Sequence, residues 1–93
     1  MELIPDYDVV LIEWVDSWGG GGWRPVDEIL KDHNDPNNTR MQSVGLCVAE
    51  NDRFVTIIQS LNRSNSVDNF IKIPKVAIVN MEVIRKGSTD HGR

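Results

Sequence analysis

Apolar side chains along this chain fall in short runs separated by polar or glycine-bearing stretches, and most of those runs have the period of strands. Residues 9–15, VVLIEWV, are nearly continuous β-branched and aliphatic positions. Asp16, Ser17 and then glycine close them, which predicts a central strand ended by a turn. After the glycines the pattern changes. Pro25 suits a first helical position, Asp27 and Glu28 suit the positive end of a helix dipole, and Ile29 and Leu30 supply an apolar side, so one helix of two turns is predicted. The polar stretch HNDPNNT ends it, because Asp35 before Pro36 is pushed out of helical conformation. In MQSVGLCVAE, Val44, Leu46 and Val48 alternate with Ser43, Gly45, Cys47 and Ala49, a strand with one aliphatic face and one small face that something approaches closely. Asn51-Asp52 then predicts a hairpin into RFVTIIQSL. A second polar loop, NRSNSVDN, leads to FIKI, to Pro74, and to a last strand in KVAIVNMEVI with Val79, Met81 and Val83 on one side. The tail GSTDHGR has no pattern and is expected to be disordered.

Five strands, a long first connection carrying the helix, hairpins after it and a proline-marked break before the last strand predict a mainly β fold. The expected form is a small five-stranded antiparallel SH3-like barrel, with an OB-type barrel as the neighbouring architecture. Pro74 would end a strand and open a single 3₁₀ turn before the chain re-enters the sheet. The expected domain covers residues 1–86, with residues 87–93 as tail.

Composition narrows the functions more than the fold. With 93 residues, 40% apolar and 26% charged, the chain has the makings of one folded domain with one core. Its formal charge of −4 has the wrong sign for a phosphate backbone, which argues against general nucleic-acid binding. One cysteine, Cys47, excludes an intramolecular disulfide. The start MELIPDYDVV lacks the pattern of a signal peptide and no apolar run is long enough to span a membrane, so a cytoplasmic location without membrane attachment is expected.

The candidate chemistry centres on DSWGGGGWRP, residues 16–25. Arg24 stands where a dinucleotide fingerprint needs its third glycine, and no Lys-Ser/Thr pair follows, so both nucleotide-enzyme motifs fail. His33, His91 and Cys47 have no metal-ligand spacing, and Asp16, Ser17 and His33 lack the surroundings of a nucleophile. No cofactor, metal or catalytic residue is expected, and hence no enzyme. Asp16, Asp27 and Glu28 are expected to be neutralised by Arg24. The tryptophans say more. Trp14 lies inside the first strand and reads as core, whereas Trp18 and Trp23 flank the glycines, where an exposed indole marks a contact surface. The competing reading has Trp23 packing back on the barrel to anchor the helix while the glycines permit tight turns. Trp18, Gly20, Gly21, Trp23 and Arg24 are the candidate binding residues.

Three segments, IEWVDSWGGGGWRPVDEI, MQSVGLCVAENDRFVTIIQS and IKIPKVAIVNMEVI, together resemble a group of small proteins encoded by phages and prophages. The shared features are a first strand ending in Trp and Asp-Ser, a glycine and Trp step into a short helix, a Ser-Val-Gly strand start and a late Ile-Pro. The resemblance spans residues 9–84 and implies a phage origin, action in the host bacterial cytoplasm and an SH3-like barrel. It carries no catalytic residues across, and the four-glycine run here is longer than that pattern.

The expected function is a non-enzymatic binding module that contacts a host or phage protein through the Trp/Gly-rich loop. A first alternative is an oligomeric sponge that sequesters a nucleotide signal and so blunts host defence, with an indole stacking on the base and glycine amides or Arg24 meeting phosphate. A second is a structural or assembly protein that pairs into a homo-oligomer.

Overall fold

A computed structural model describes residues 5–89. Five strands, β1 (Val9–Val15), β2 (Arg40–Glu50), β3 (Phe54–Leu61), β4 (Val67–Pro74) and β5 (Ile78–Arg85), form one antiparallel sheet in the order β4-β3-β2-β1-β5. One helix, α1 (Val26–His33), lies in the long connection between β1 and β2. The turns form where their residue types predict. The Asn51 carboxamide oxygen accepts from the backbone N–H groups of Arg53 (2.9 Å) and Phe54 (2.8 Å), closing the β2–β3 hairpin. Asn62 does the same for Ser64 and Ser66 at the β3–β4 turn, both at 3.0 Å. Pro74 opens a 3₁₀ turn over Lys75–Ala77, held by the Lys75 N–H on the Arg53 carbonyl (2.8 Å).

The barrel expectation is met in part. The fold is mainly β with five antiparallel strands and one helix, but β4 and β5 stand at opposite ends of the sheet and share no ladder, so the sheet is not closed. It is nonetheless curled around a single core. Val10, Ile12 and Trp14 of β1, Cys47 of β2, Val55 and Ile57 of β3 and Ile73 of β4 are buried together, and Ile78 and Met81 of the far strand β5 pack against the same cluster. Trp14 is 9% exposed and donates its indole N–H to the Ser43 hydroxyl at 3.0 Å, the partner a buried indole needs.

The small face of β2 points into this core. A Cβ at Gly45 would stand 2.7 Å from the Ile58 carbonyl oxygen and 3.2 Å from the Ile57 Cβ, so the close approach expected there is backbone of β3. Val44, on the aliphatic face, is about half exposed. The last strand departs from simple alternation. Trp14 pairs with Ile78 and Glu13 with Asn80, and Val9 pairs with Arg85 but Val10 with Val83. Val79 and Ile84 are therefore extra residues at two register shifts, which is why both are exposed.

The end of the described chain meets its beginning. The Gly87 N–H donates to the buried Asp8 carboxylate (2.8 Å), the Thr89 N–H donates to the Asp6 carbonyl (2.8 Å), and the Asp6 N–H donates to the Thr89 hydroxyl (2.7 Å). Gly87 and Thr89 thus join the first residues of the fold, because a buried carboxylate must find donors and this segment supplies them. Residues 90–93 lie outside the described part of the chain.

Cys47 is fully buried, and burial pushes its thiol up to about 11, with Glu50 and Asp8 adding repulsion. Well below pH 9 the thiol is protonated whether folded or not and contributes no pH dependence. Between about pH 9 and 11 the unfolded thiol ionises and the folded one does not, so stability falls, by about 2–3 kcal/mol over that window. Urea denaturation of the wild type and of Cys47→Ala across this range should diverge in that direction. A thiol reagent at pH 8 should modify Cys47 only after denaturation; rapid labelling of native protein would contradict this packing.

Candidate functional site

The β1–β2 ladder ends at Val15 opposite Arg40, and the Asp16 N–H donates to the Thr39 carbonyl at 2.9 Å. Beyond this neck, residues 17–38 leave the sheet as an arm. Its helix has no buried residue. The arm is organised by its own polar groups. Arg24 reaches Glu28 (3.2 Å) and Asp32 (2.9 Å), clasping the start of the arm to the exposed side of α1, and these hydrogen bonds, Asp32 first, raise the affinity of the guanidinium for its proton. The Asn34 side chain donates to the Leu30 carbonyl (2.9 Å) at the end of α1, and the Asn38 side chain donates to the Asp32 carbonyl (2.8 Å), folding the return segment back on the helix. Of the carboxylates expected around Arg24, Glu28 is there; Asp16 instead accepts from the Ser17 N–H (2.8 Å), and Asp32 takes the second position.

Both candidate tryptophans are outside. Trp18 is 57% exposed and Trp23 is fully exposed, so Trp23 does not pack back on the sheet to anchor the helix. Val26, Ile29 and Leu30 are exposed beside them. Gly22 alone of the four glycines requires its lack of a side chain, at φ 82°. A Cβ at Gly19, Gly20 or Gly21 would meet nothing, so those three neither admit a close approach nor need to turn the chain; they leave the arm unbraced.

Between Trp18 and the helix lies an open cleft of about 540 Å³. Trp18, Gly20 and Arg24 line it, while Gly21 and Trp23 do not. The candidate set is therefore divided: three members share the cleft and Trp23 stands on the arm apart from it. Ile29, Asp32 and His33 also line the cleft, and sequence reasoning passed over them. Their spacing at i, i+3 and i+4 was the available signal, since it puts them on one helix face. No hydrogen bond joins His33 to Ser17, and among the described residues no three His, Cys, Asp or Glu side chains converge as metal ligands.

No protein-family model, curated protein or solved structure matches this chain. The arm's own chemistry is what remains to interpret. It offers indole and aliphatic area beside fixed, mutually neutralised charges. Such a surface can bury apolar groups of a partner and hold polar ones at its rim, the composition of a protein contact. Among the described residues no helix is long and apolar enough to cross a membrane.

Proposed function

We propose that this chain is a non-enzymatic, phage-encoded protein-binding module, acting in the host bacterial cytoplasm, whose arm contacts another protein of host or phage. The observation that carries this reading is Trp23, fully exposed on a short helix-bearing arm that buries nothing of its own. A bare indole is costly in water and is, with Tyr and Arg, enriched among the residues that dominate protein contacts. Trp18, Val26 and Leu30 are also exposed on the arm. In a pull-down against host lysate and phage proteins, Trp18→Ala combined with Trp23→Ala should lose partners that the wild type retains. Both residues are exposed, so the double variant should keep the wild-type unfolding transition. Unchanged recovery would refute the reading.

The nucleotide-sponge reading draws on Trp18 and Arg24 sharing the cleft wall. Against it, Arg24 is already held by Glu28 and Asp32, and Asp32 and Asp35 face the same space, so a phosphate would have to displace carboxylates to gain its cation. Native mass spectrometry with added cyclic nucleotides separates the two readings: a stoichiometric bound nucleotide favours the sponge, a clean apo mass favours the protein contact.

A further inference from the structure

Concave surfaces on this molecule differ in what they can select. The wedge where the β2–β3 ladder stops, at Leu46 opposite Ile58, holds about 590 Å³ and is lined by no charged side chain, so no charge there chooses an occupant. The cleft between Trp18 and α1 is different. Asp32 and Asp35 line it beside the indole of Trp18, which is more than half exposed. Arg24, in the same wall, lies between Asp32 at 2.9 Å and Glu28 at 3.2 Å, so these three groups together keep one negative charge. Asp35 adds another. Its carboxylate accepts the Asn37 N–H at 2.9 Å, and among the described residues no Lys or Arg forms an ion pair with it.

The arm as a whole is negative too. Residues 16–39, the arm with its neck, carry five carboxylates against two cations, a net −3, whereas residues 5–15 and 40–89 carry seven of each. The net charge of the described chain therefore sits on the arm, where it draws cations toward the indole. An indole face beside carboxylates is a combination that holds a cation on an apolar stem. The ring attracts the charge, a carboxylate pairs with it, and the methylenes lie along apolar surface. Asp32 and Asp35, which oppose a phosphate in this cleft, favour such a group.

We infer that the cleft receives an arginine or lysine side chain from a basic segment of the partner protein, the cation lying against Trp18 and pairing with Asp35. This names the chemistry of the partner and rests on the reading of the arm as a protein contact. Each such contact is weak where water reaches it, so further basic residues of the segment contribute through the field of the arm, and salt weakens the binding.

Fluorescence anisotropy of a labelled octa-arginine peptide titrated with the full chain tests this, beside a citrulline peptide that keeps the shape and lacks the charge. Octa-arginine should bind at low salt and be released at about 1 M salt, where charges are screened within about 3 Å; the citrulline peptide should not bind. Asp35→Asn keeps an acceptor for the Asn37 N–H and loses the charge. It and Trp18→Ala should each weaken octa-arginine binding about fivefold. Glu82→Gln, which removes an exposed carboxylate of β5 outside the cleft, should leave the binding unchanged. Spermidine should displace the peptide only in large excess; displacement at equimolar amounts would make the cleft a site for free polyamines and overturn the assignment to a protein. Absence of octa-arginine binding overturns the inference, and so does wild-type affinity in either cleft variant. An equal loss from Glu82→Gln does the same, since net charge alone would then attract the peptide. If peptide binding fails while the pull-down still depends on both tryptophans, the arm stands as a protein contact and only its basic partner is lost.

Discussion

Trp14→Ala is expected to remove about 3–5 kcal/mol of stability, a large share of the total typical of small domains. Trp14 sits in the middle of the core between β2 and β5, opposite Met41 on one side and Ile78 on the other. Truncation removes the largest side chain in the cluster and leaves a void that strand backbones, pinned by their ladders, cannot collapse into. It also strips the Ser43 hydroxyl of the indole donor at 3.0 Å. Trp14→Phe separates the two contributions: it keeps most of the volume and loses the N–H, and should cost about 1–2 kcal/mol. Urea denaturation followed by circular dichroism measures both. A loss below about 1 kcal/mol for the alanine variant would mean that Trp14 is not the packing centre described.

The second large effect concerns the closing of the chain ends. Asp8 is 3% exposed; its carboxylate accepts the Gly87 N–H at 2.8 Å and meets the Lys86 ammonium at 3.3 Å, while its own carbonyl accepts the Cys47 N–H at 2.9 Å. Asp8→Ala keeps the backbone bond but deprives a buried amide and an ammonium of their acceptor, at an expected cost of about 2–4 kcal/mol. The segment it holds is tightly placed, for a Cβ at Gly87 would collide with the Asp6 carbonyl and the Tyr7 backbone. Gly87→Ala should therefore lift the same segment. Because both variants break one contact, their combination should cost less than the sum of the two. Deleting residues 87–93 is the direct comparison: a loose tail could be removed without effect, whereas the pinned one should lower the urea midpoint about as far as Asp8→Ala does. A deletion with wild-type stability would restore residue 86 as the end of the domain.

Several features of the candidate site were legible in the chain because they depend on local chemistry. An indole next to four glycines has little around it to pack on, which made exposure one of two readings for Trp23, the other being packing against the sheet; both Trp18 and Trp23 are exposed. The positions around Arg24 were legible only in part. Glu28 follows it at helical spacing, but Asp32 arrives because α1 turns its next carboxylate but one towards the same guanidinium, eight residues away. The parting of β2 from β3, which makes the wedge, left no trace in composition or periodicity. It arises where one ladder stops and another continues.

The sequence by itself determined the five strands, their antiparallel hairpins, the proline-opened 3₁₀ turn, the short helix and the burial of Trp14, since each follows from the period of apolar positions or from a residue type at a turn. Tertiary structure decided which face of β2 turns inward. Alternation fixes that the two faces differ but not which one is core, and the bulk of Val10 and Ile12 on β1 leaves room only for the small Gly45 and Ser43 opposite them. It also decided the two register shifts on β5 and the capture of Gly87 and Thr89 by the first residues of the fold. These depend on which groups meet across more than sixty residues of chain, and on the need of a buried carboxylate for donors, neither of which a local pattern encodes.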